Sequence, residues 1–182
     1  MKETSEIKLN FFNTIWKEYQ WFLIYEFKLT GTDFFRQTDE EILKTLIGTR
    51  ILGNSLYHPE MVDKETEVAV KNVSRPYEFD KIEISDFQFL DSKTDFQNWV
   101  TKFRTEGWED DRDDAQILID RVEKELWSRT NLEKGVWHLT KEDFEEESNK
   151  LIEVHWIYGH FETFIEINRE KKIIRTFDFG YD

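Results

Sequence analysis

VHWIYGHFETFIEINREKKIIRTFDF, residues 154–179, is the stretch that decides the fold. Val154, Trp156 and Tyr158 alternate with other residues. Beyond Gly159 the same period resumes at Phe161, Thr163, Ile165 and Ile167. After Asn168 to Lys172 it returns at Ile173, Arg175, Phe177 and Phe179. Side chains two apart share one face of a strand, so the spacing predicts a three-strand antiparallel meander with short turns at the C-terminal end of the chain. The basic residues Arg169, Lys171, Lys172 and Arg175 are expected on an exposed turn or strand of its last hairpin.

Upstream, helical spacing dominates. Phe12, Ile15, Trp16 and Tyr19 predict a helix from about Thr4 to about Tyr19. Trp21, Leu23, Tyr25, Phe27 and Leu29 alternate as a strand would, although Phe22 and Leu23 also continue the preceding helical stripe; pattern leaves both readings open. Thr38-Asp39-Glu40-Glu41 is a capping box that opens a helix with Ile42, Leu43, Leu46 and Ile47 on its apolar face, and Gly53-Asn54 is a candidate stop. From Glu67 to Leu90 the pattern is strand-like but irregular. Val68, Val70, Ile82 and Ile84 alternate, then Phe87 and Phe89 in the opposite phase, which requires a bulge or turn near Ser85-Asp86.

Two more helices follow. Phe96, Trp99, Val100 and Phe103 line one, ended by Gly107; Ala115, Leu118, Ile119, Val122 and Leu126 line another, with Asp113 and Asp114 at its start complementing the helix dipole. A short helix is expected from Thr140, with Asp143 completing a capping-box pattern and Phe144 and Leu151 facing inward. The expected fold is therefore a single α+β domain over residues 1–182, with N-terminal and central amphipathic helices on an antiparallel sheet that includes the C-terminal meander.

Composition constrains function. Asp and Glu number 39 against 25 Lys and Arg, a formal charge of -14, yet 16% of residues are aromatic. High charge opposes collapse, but aromatic side chains supply large buried areas, and together they describe a packed globule with a negative surface. With no cysteine, there is no disulfide framework and no thiolate metal site. The opening MKETSEIKLNFF lacks a basic region followed by an apolar run, so no secretory signal is expected. The apolar stretch Trp21 to Tyr25 is too short for a bilayer. The expectation is a cytoplasmic protein.

The acidity is concentrated. Glu106 to Glu153 holds 16 acidic and 7 basic residues, a net of -9. One cluster surrounds Trp108: Glu109, Asp110, Asp111, Asp113 and Asp114. Another is Glu142, Asp143, Glu145, Glu146 and Glu147, where Glu142, Glu145, Glu146 and Asn149 would share one exposed face of the short helix. An aromatic anchor ringed by carboxylates fits a docking surface for a basic protein, which the acidic rim would steer by long-range attraction. The ordinary alternative is a solvated surface. Negative charge disfavours direct binding to DNA, RNA or anionic membranes.

Chemistry leaves fewer traces. His155 and His160 form H-x4-H, with Glu153 and Glu162 nearby. A hairpin could bring them together for metal binding or acid-base work, but on one continuous strand the two rings would point to opposite faces. His138 and His58 have no partner at a ligand spacing. The acidic loop lacks the glycine an EF-hand requires, and no nucleotide-binding, nucleophile-elbow or zincin motif is present. Glu170-Lys171-Lys172 contains an E-x-K without an assignable upstream Asp.

The resulting expectation is a non-enzymatic binding protein, without metal or cofactor, that neutralises a basic partner. An immunity protein against a toxin such as a nuclease is the natural instance. Its docking residues would be Trp108, Glu109, Asp110, Asp111, Asp113, Asp114, Glu142, Glu145 and Glu146. Two alternatives stay open: a phage-type nucleic-acid mimic that inhibits a defence nuclease, and a hydrolase using Glu153, His155, His160 and Glu162.

Overall fold

A computed structural model describes residues 6–17, 20–31, 34, 36–48, 75–106, 112–125, 127–153, 155–157 and 159–181. Its centre is a six-stranded, wholly antiparallel sheet. In chain order the strands are β1 (Glu6–Lys17), β2 (Gln20–Thr30), β3 (Gln88–Leu90), β4 (Val136–Thr140), β5 (His160–Asn168) and β6 (Ile173–Tyr181). Across the sheet they run β1-β2-β6-β5-β4-β3. The helices are α1 (Asp39–Gly48), α2 (Lys93–Glu106) and α3 (Arg112–Glu125). The class is α+β, as the sequence indicates. Among the described residues no helix is long and apolar enough to cross a membrane.

The sheet is covered on both faces. On one face Trp21, Leu29, Phe161, Ile165, Ile174 and Leu139 meet Ile42, Leu43 and Leu46 of α1, together with Tyr77, Phe79, Ile82, Phe87 and Leu151. On the other, Ile15, Phe22, Ile24, Phe164, Phe177 and Phe179 meet Phe96 and Val100 of α2 and Leu118, Ile119 and Val122 of α3. Period-2 alternation thus feeds two cores, and the middle strands β2, β5 and β6 are buried along nearly their whole described length.

Several expectations need correction. The N-terminal segment is a strand, not a helix, and Trp21 to Leu29 belongs to β2. The reason lies in a β-bulge. Leu9 pairs with Phe27 and Phe11 with Glu26, so Asn10 is an extra residue that shifts the phase of the apolar positions. That shift, with apolar residues serving both faces, imitates a helical stripe. Residues 155–157 form one 3-10 turn instead of a meander strand, and β4 fills that place beside β5. Thr140 caps only a 3-10 turn, Lys141–Asp143, not a helix. Ile82 and Ile84 lie among 3-10 turns.

Other features agree. The Thr38 amide donates to Glu41 Oε2 (2.7 Å) and the Glu41 amide to Thr38 Oγ1 (3.2 Å), completing the capping box. A turn at Ile84–Asp86 accommodates the phase change near Ser85. The hairpin of β5 and β6 pairs from His160–Tyr181 to Asn168–Ile173. Val68, Val70, Gly53-Asn54, Gly107 and His58 lie outside the described residues.

Polar groups on a doubly covered sheet must find partners inside the protein. Arg175 is 3% exposed, which corrects its expected place on an exposed turn or strand. Its Nε donates to Glu26 Oε2 and its Nη1 to Glu166 Oε2, both at 2.8 Å. The bulge residue Asn10 donates from Nδ2 to Glu26 Oε1 at 2.6 Å. On the opposite face Arg75 forks onto Asp178, Nε to Oδ1 at 2.9 Å and Nη2 to Oδ2 at 2.8 Å.

The packing also explains one glycine. Gly180 pairs with Trp21 across β2 and β6, and a Cβ added there would lie 1.7 Å from the indole Cη2. Gly180→Ala is therefore expected to lower stability by about 1–3 kcal/mol through overpacking. Because the clash is with the indole, Trp21→Phe combined with Gly180→Ala should cost less than the sum of the single changes. Urea denaturation of the four proteins in this cycle measures both effects.

Candidate functional site

The β4–β5 pairing assembles a polar cluster at one end of the sheet. Thr140 lies opposite Glu162 and His138 opposite Phe164. His160 and Glu162 are two residues apart on β5 and so share a face. Glu142 follows β4 in the turn Lys141–Asp143, a turn begun by the Thr140 side chain accepting from the Glu142 amide at 3.3 Å.

These elements direct five side chains together. His160 Nδ1 lies 2.6 Å from Glu142 Oε1, and His160 Nε2 lies 3.2 Å from Glu162 Oε1. The second oxygen of each carboxylate is held from behind. Glu162 Oε2 bonds His138 Nε2, and Glu142 Oε2 accepts from Thr140 Oγ1. His138 is itself fixed by stacking on Phe164, with ring centroids 4.6 Å apart and planes 9° from parallel. Nearby, the Tyr77 hydroxyl donates to the carbonyls of Leu139 and Phe161, tying β4 to β5.

Electrostatics follows from this arrangement. Burial alone would lower the His160 pKa, but its donation to Glu142 and the close Glu162 carboxylate overcome it and raise the value to about 9. Burial of Glu162 favours its neutral form; its bonds to His138 and His160 outweigh that and lower its pKa. Glu142 follows the same logic, with burial opposed by its bond to His160. His160 is thus an imidazolium between two carboxylates at neutral pH. One representative ligand atom from each of Glu142, His160 and Glu162 lies within 4.8 Å of the others, a separation one metal ion could bridge.

The sequence-predicted residues separate into groups. His160 and Glu162 do meet, but Glu153 is exposed and His155 sits in the 3-10 turn His155–Ile157; neither belongs to the ligand group. His138, which lacked a partner by spacing, is buried against Glu162. Its partnership depends on the register of β4, a strand absent from the expectations drawn from sequence. The β-branched and aromatic run Val-Trp-His-Leu-Thr after Gly135 was the available signal.

Of the proposed docking residues, Trp108, Glu109, Asp110 and Asp111 lie outside the described residues. Asp113 is exposed near the start of α3, where Asp114 follows it. Glu142, Glu145 and Glu146 are exposed in the β4–β5 connection, beside exposed Asp143 and Glu147. The same connection presents Trp156, 72% exposed, which sequence reasoning had assigned to a strand. Helix α3, which carries Asp113, and the β4–β5 connection do not share a sheet face: α3 packs on the face of Phe164 and Phe177, whereas Phe144 and Leu151 of the connection pack on that of Phe161.

No family model, no curated protein and no solved structure matches this chain.

The cluster predicts a pH profile. A raised His160 pKa contributes stability that is complete below about 6.5 and lost as pH climbs through about 9. Lowered Glu142 and Glu162 values contribute stability that is complete above about 4.5 and lost on acidification. In chelator-treated protein, the cluster's contribution to the urea midpoint should therefore be full between about pH 4.5 and 6.5. His160→Gln should flatten the decline from pH 6.5 to 9; a decline of unchanged size would contradict this account.

Proposed function

We propose that this protein is a small acidic binding protein that captures and neutralises a basic partner, as an immunity protein does with a toxin such as a nuclease. The observation that carries the reading is Trp156, 72% exposed on a connection that also presents Glu142, Asp143, Glu145, Glu146 and Glu147 to solvent. An exposed indole supplies a large rigid contact area at low entropic cost, and tryptophan is enriched at binding hot spots. Carboxylates on the same connection speed encounter with a cationic surface and disfavour anionic competitors. A nuclease cleft is such a surface because it must hold phosphate.

Within this proposal, Glu142, Glu145 and Glu146 belong to the docking surface already expected from sequence. Trp156 joins Trp108 as a candidate anchor. Trp108, Glu109, Asp110, Asp111, Asp113 and Asp114 remain proposed docking residues, with Asp113 on a helix that packs on the other face of the sheet from the connection. Glu145 and Glu146 suit a test because, among the described residues, their side chains make no ion pair or hydrogen bond whose loss would disturb the fold.

The test is affinity capture from the source cell's lysate at low and at physiological salt, with identification of the bound protein and assay of its activity. A basic protein should be retained and inhibited, with capture weakening as salt rises. Glu145→Lys combined with Glu146→Lys should reduce association at least tenfold, chiefly in the on-rate, and Trp156→Ala should accelerate dissociation. Both variants should keep the wild-type thermal midpoint. Capture unaffected by either variant or by salt would remove the proposal.

A further inference from the structure

We propose that Glu142, His160 and Glu162 form a binding site for one first-row divalent metal ion of the Zn2+ type. The proposal rests on cluster geometry and is independent of the docking reading.

The residues come from two places that the fold holds in fixed relation. His160 and Glu162 share a face of β5, and Glu142 stands on the turn that leaves β4, the strand paired with β5. Their ligand atoms lie within 4.8 Å of one another. Around a tetrahedral ion with metal–ligand distances of about 2.1 Å, neighbouring ligand atoms are roughly 3.4 Å apart. One His160 nitrogen ligates the ion, so the carboxylate that now faces the other nitrogen must rotate toward it as the ion enters.

A supporting layer is already in place. In both carboxylates Oε2 is occupied by a neighbour, His138 for Glu162 and Thr140 for Glu142, while Oε1 faces His160. Ligating carboxylates and imidazoles are characteristically held in this way by outer partners that fix their orientation. His138 would serve as such a partner, itself immobilised against Phe164.

Charge and access agree. His160 gives up its proton to ligate, and the group then carries two negative charges, one of them on the Glu162 side chain, which is only 6% exposed. A dication would balance both, taking the proton's place on the imidazole. Glu142 is 44% exposed and His160 18%, so one side of the cluster opens to solvent, giving an entry path and a coordination position beyond the three protein ligands. One imidazole with two carboxylates selects transition metals over Mg2+ or Ca2+, whose usual ligands are all oxygen.

The experiment is calorimetric titration of chelator-treated full-length protein with ZnCl2, repeated in excess MgCl2. One equivalent should bind per chain, Mg2+ should not compete, and the thermal midpoint should rise with Zn2+. Glu142→Gln, at a partly exposed position, should weaken binding at least tenfold with the fold intact by circular dichroism; His160→Gln should abolish it. Absence of saturable binding would overturn the proposal. So would wild-type affinity in Glu142→Gln, which decides the matter even if His160→Gln fails to fold. No partner protein enters the measurement, so its outcome is separate from that of the docking test.

Discussion

An antiparallel sheet covered on both faces is the constraint from which the rest of this structure follows. Commonly such a sheet leaves one face to water, and its strands alternate apolar with polar residues. Here α1 and the turns after Tyr77 cover one face, while α2 and α3 cover the other. Strands in the middle must supply apolar side chains in both directions. Phe161 and Ile165 point to one core, Phe164 to the other; Ile174 and Phe177 repeat the division on β6. The aromatic load of the sequence is what such a double core requires.

The same constraint governs the charged residues that β2, β5 and β6 retain. A buried ion is tolerated only with close, well-directed partners, because its desolvation otherwise exceeds any gain. Asp178 is met by the fork of Arg75. Glu26 and Glu166 are joined by Arg175, with Asn10 and Asn168 saturating remaining oxygens. Glu162 is met by two imidazoles. The first two groups have arginine as their cation and are closed by it, since guanidinium does not give up its proton. The third has histidine, whose proton can be exchanged for a metal, and it reaches a half-exposed carboxylate, Glu142. That chemical difference separates a structural ion pair from a candidate site.

Much of the fold could be read directly from residues. The β5–β6 hairpin, the Thr38 capping box and the stripes of α2 and α3 are local features, and local spacing encodes them. The failures occurred where distant contacts decide. β1 carries apolar residues toward both faces and shifts phase at Asn10, so no single period describes it. The segment at His155–Ile157 alternates like a strand but has no strand to pair with, since β4 already occupies the edge of β5. The site was legible only in part: His160 and Glu162 were singled out by type, but their pairing with His138 and Glu142 is a matter of register across β4 and β5. Register depends on which strands lie side by side, which composition does not reveal.

The cluster and the proposed docking surface are mechanically linked. The connection from β4 to β5 leaves the sheet at Thr140 and returns at His160, and Glu142–His160 ties its two ends together. Between them, the Glu78 amide donates to the Lys150 carbonyl (2.8 Å), the Ile152 amide to the Pro76 carbonyl (2.9 Å), and Lys150 Nζ reaches Asp86 at 2.7 Å. Leu151 is buried in the core below. A segment fastened at its ends and its middle gives up little conformational freedom when a partner arrives, so more of its contact energy is retained as affinity. An ion at Glu142, His160 and Glu162 would tighten the fastening at the ends without touching Glu145, Glu146 or Trp156. The same ion would cancel the charge that Glu142 lends to the docking surface, so its tightening of the connection and its electrostatic effect on a cationic partner oppose one another.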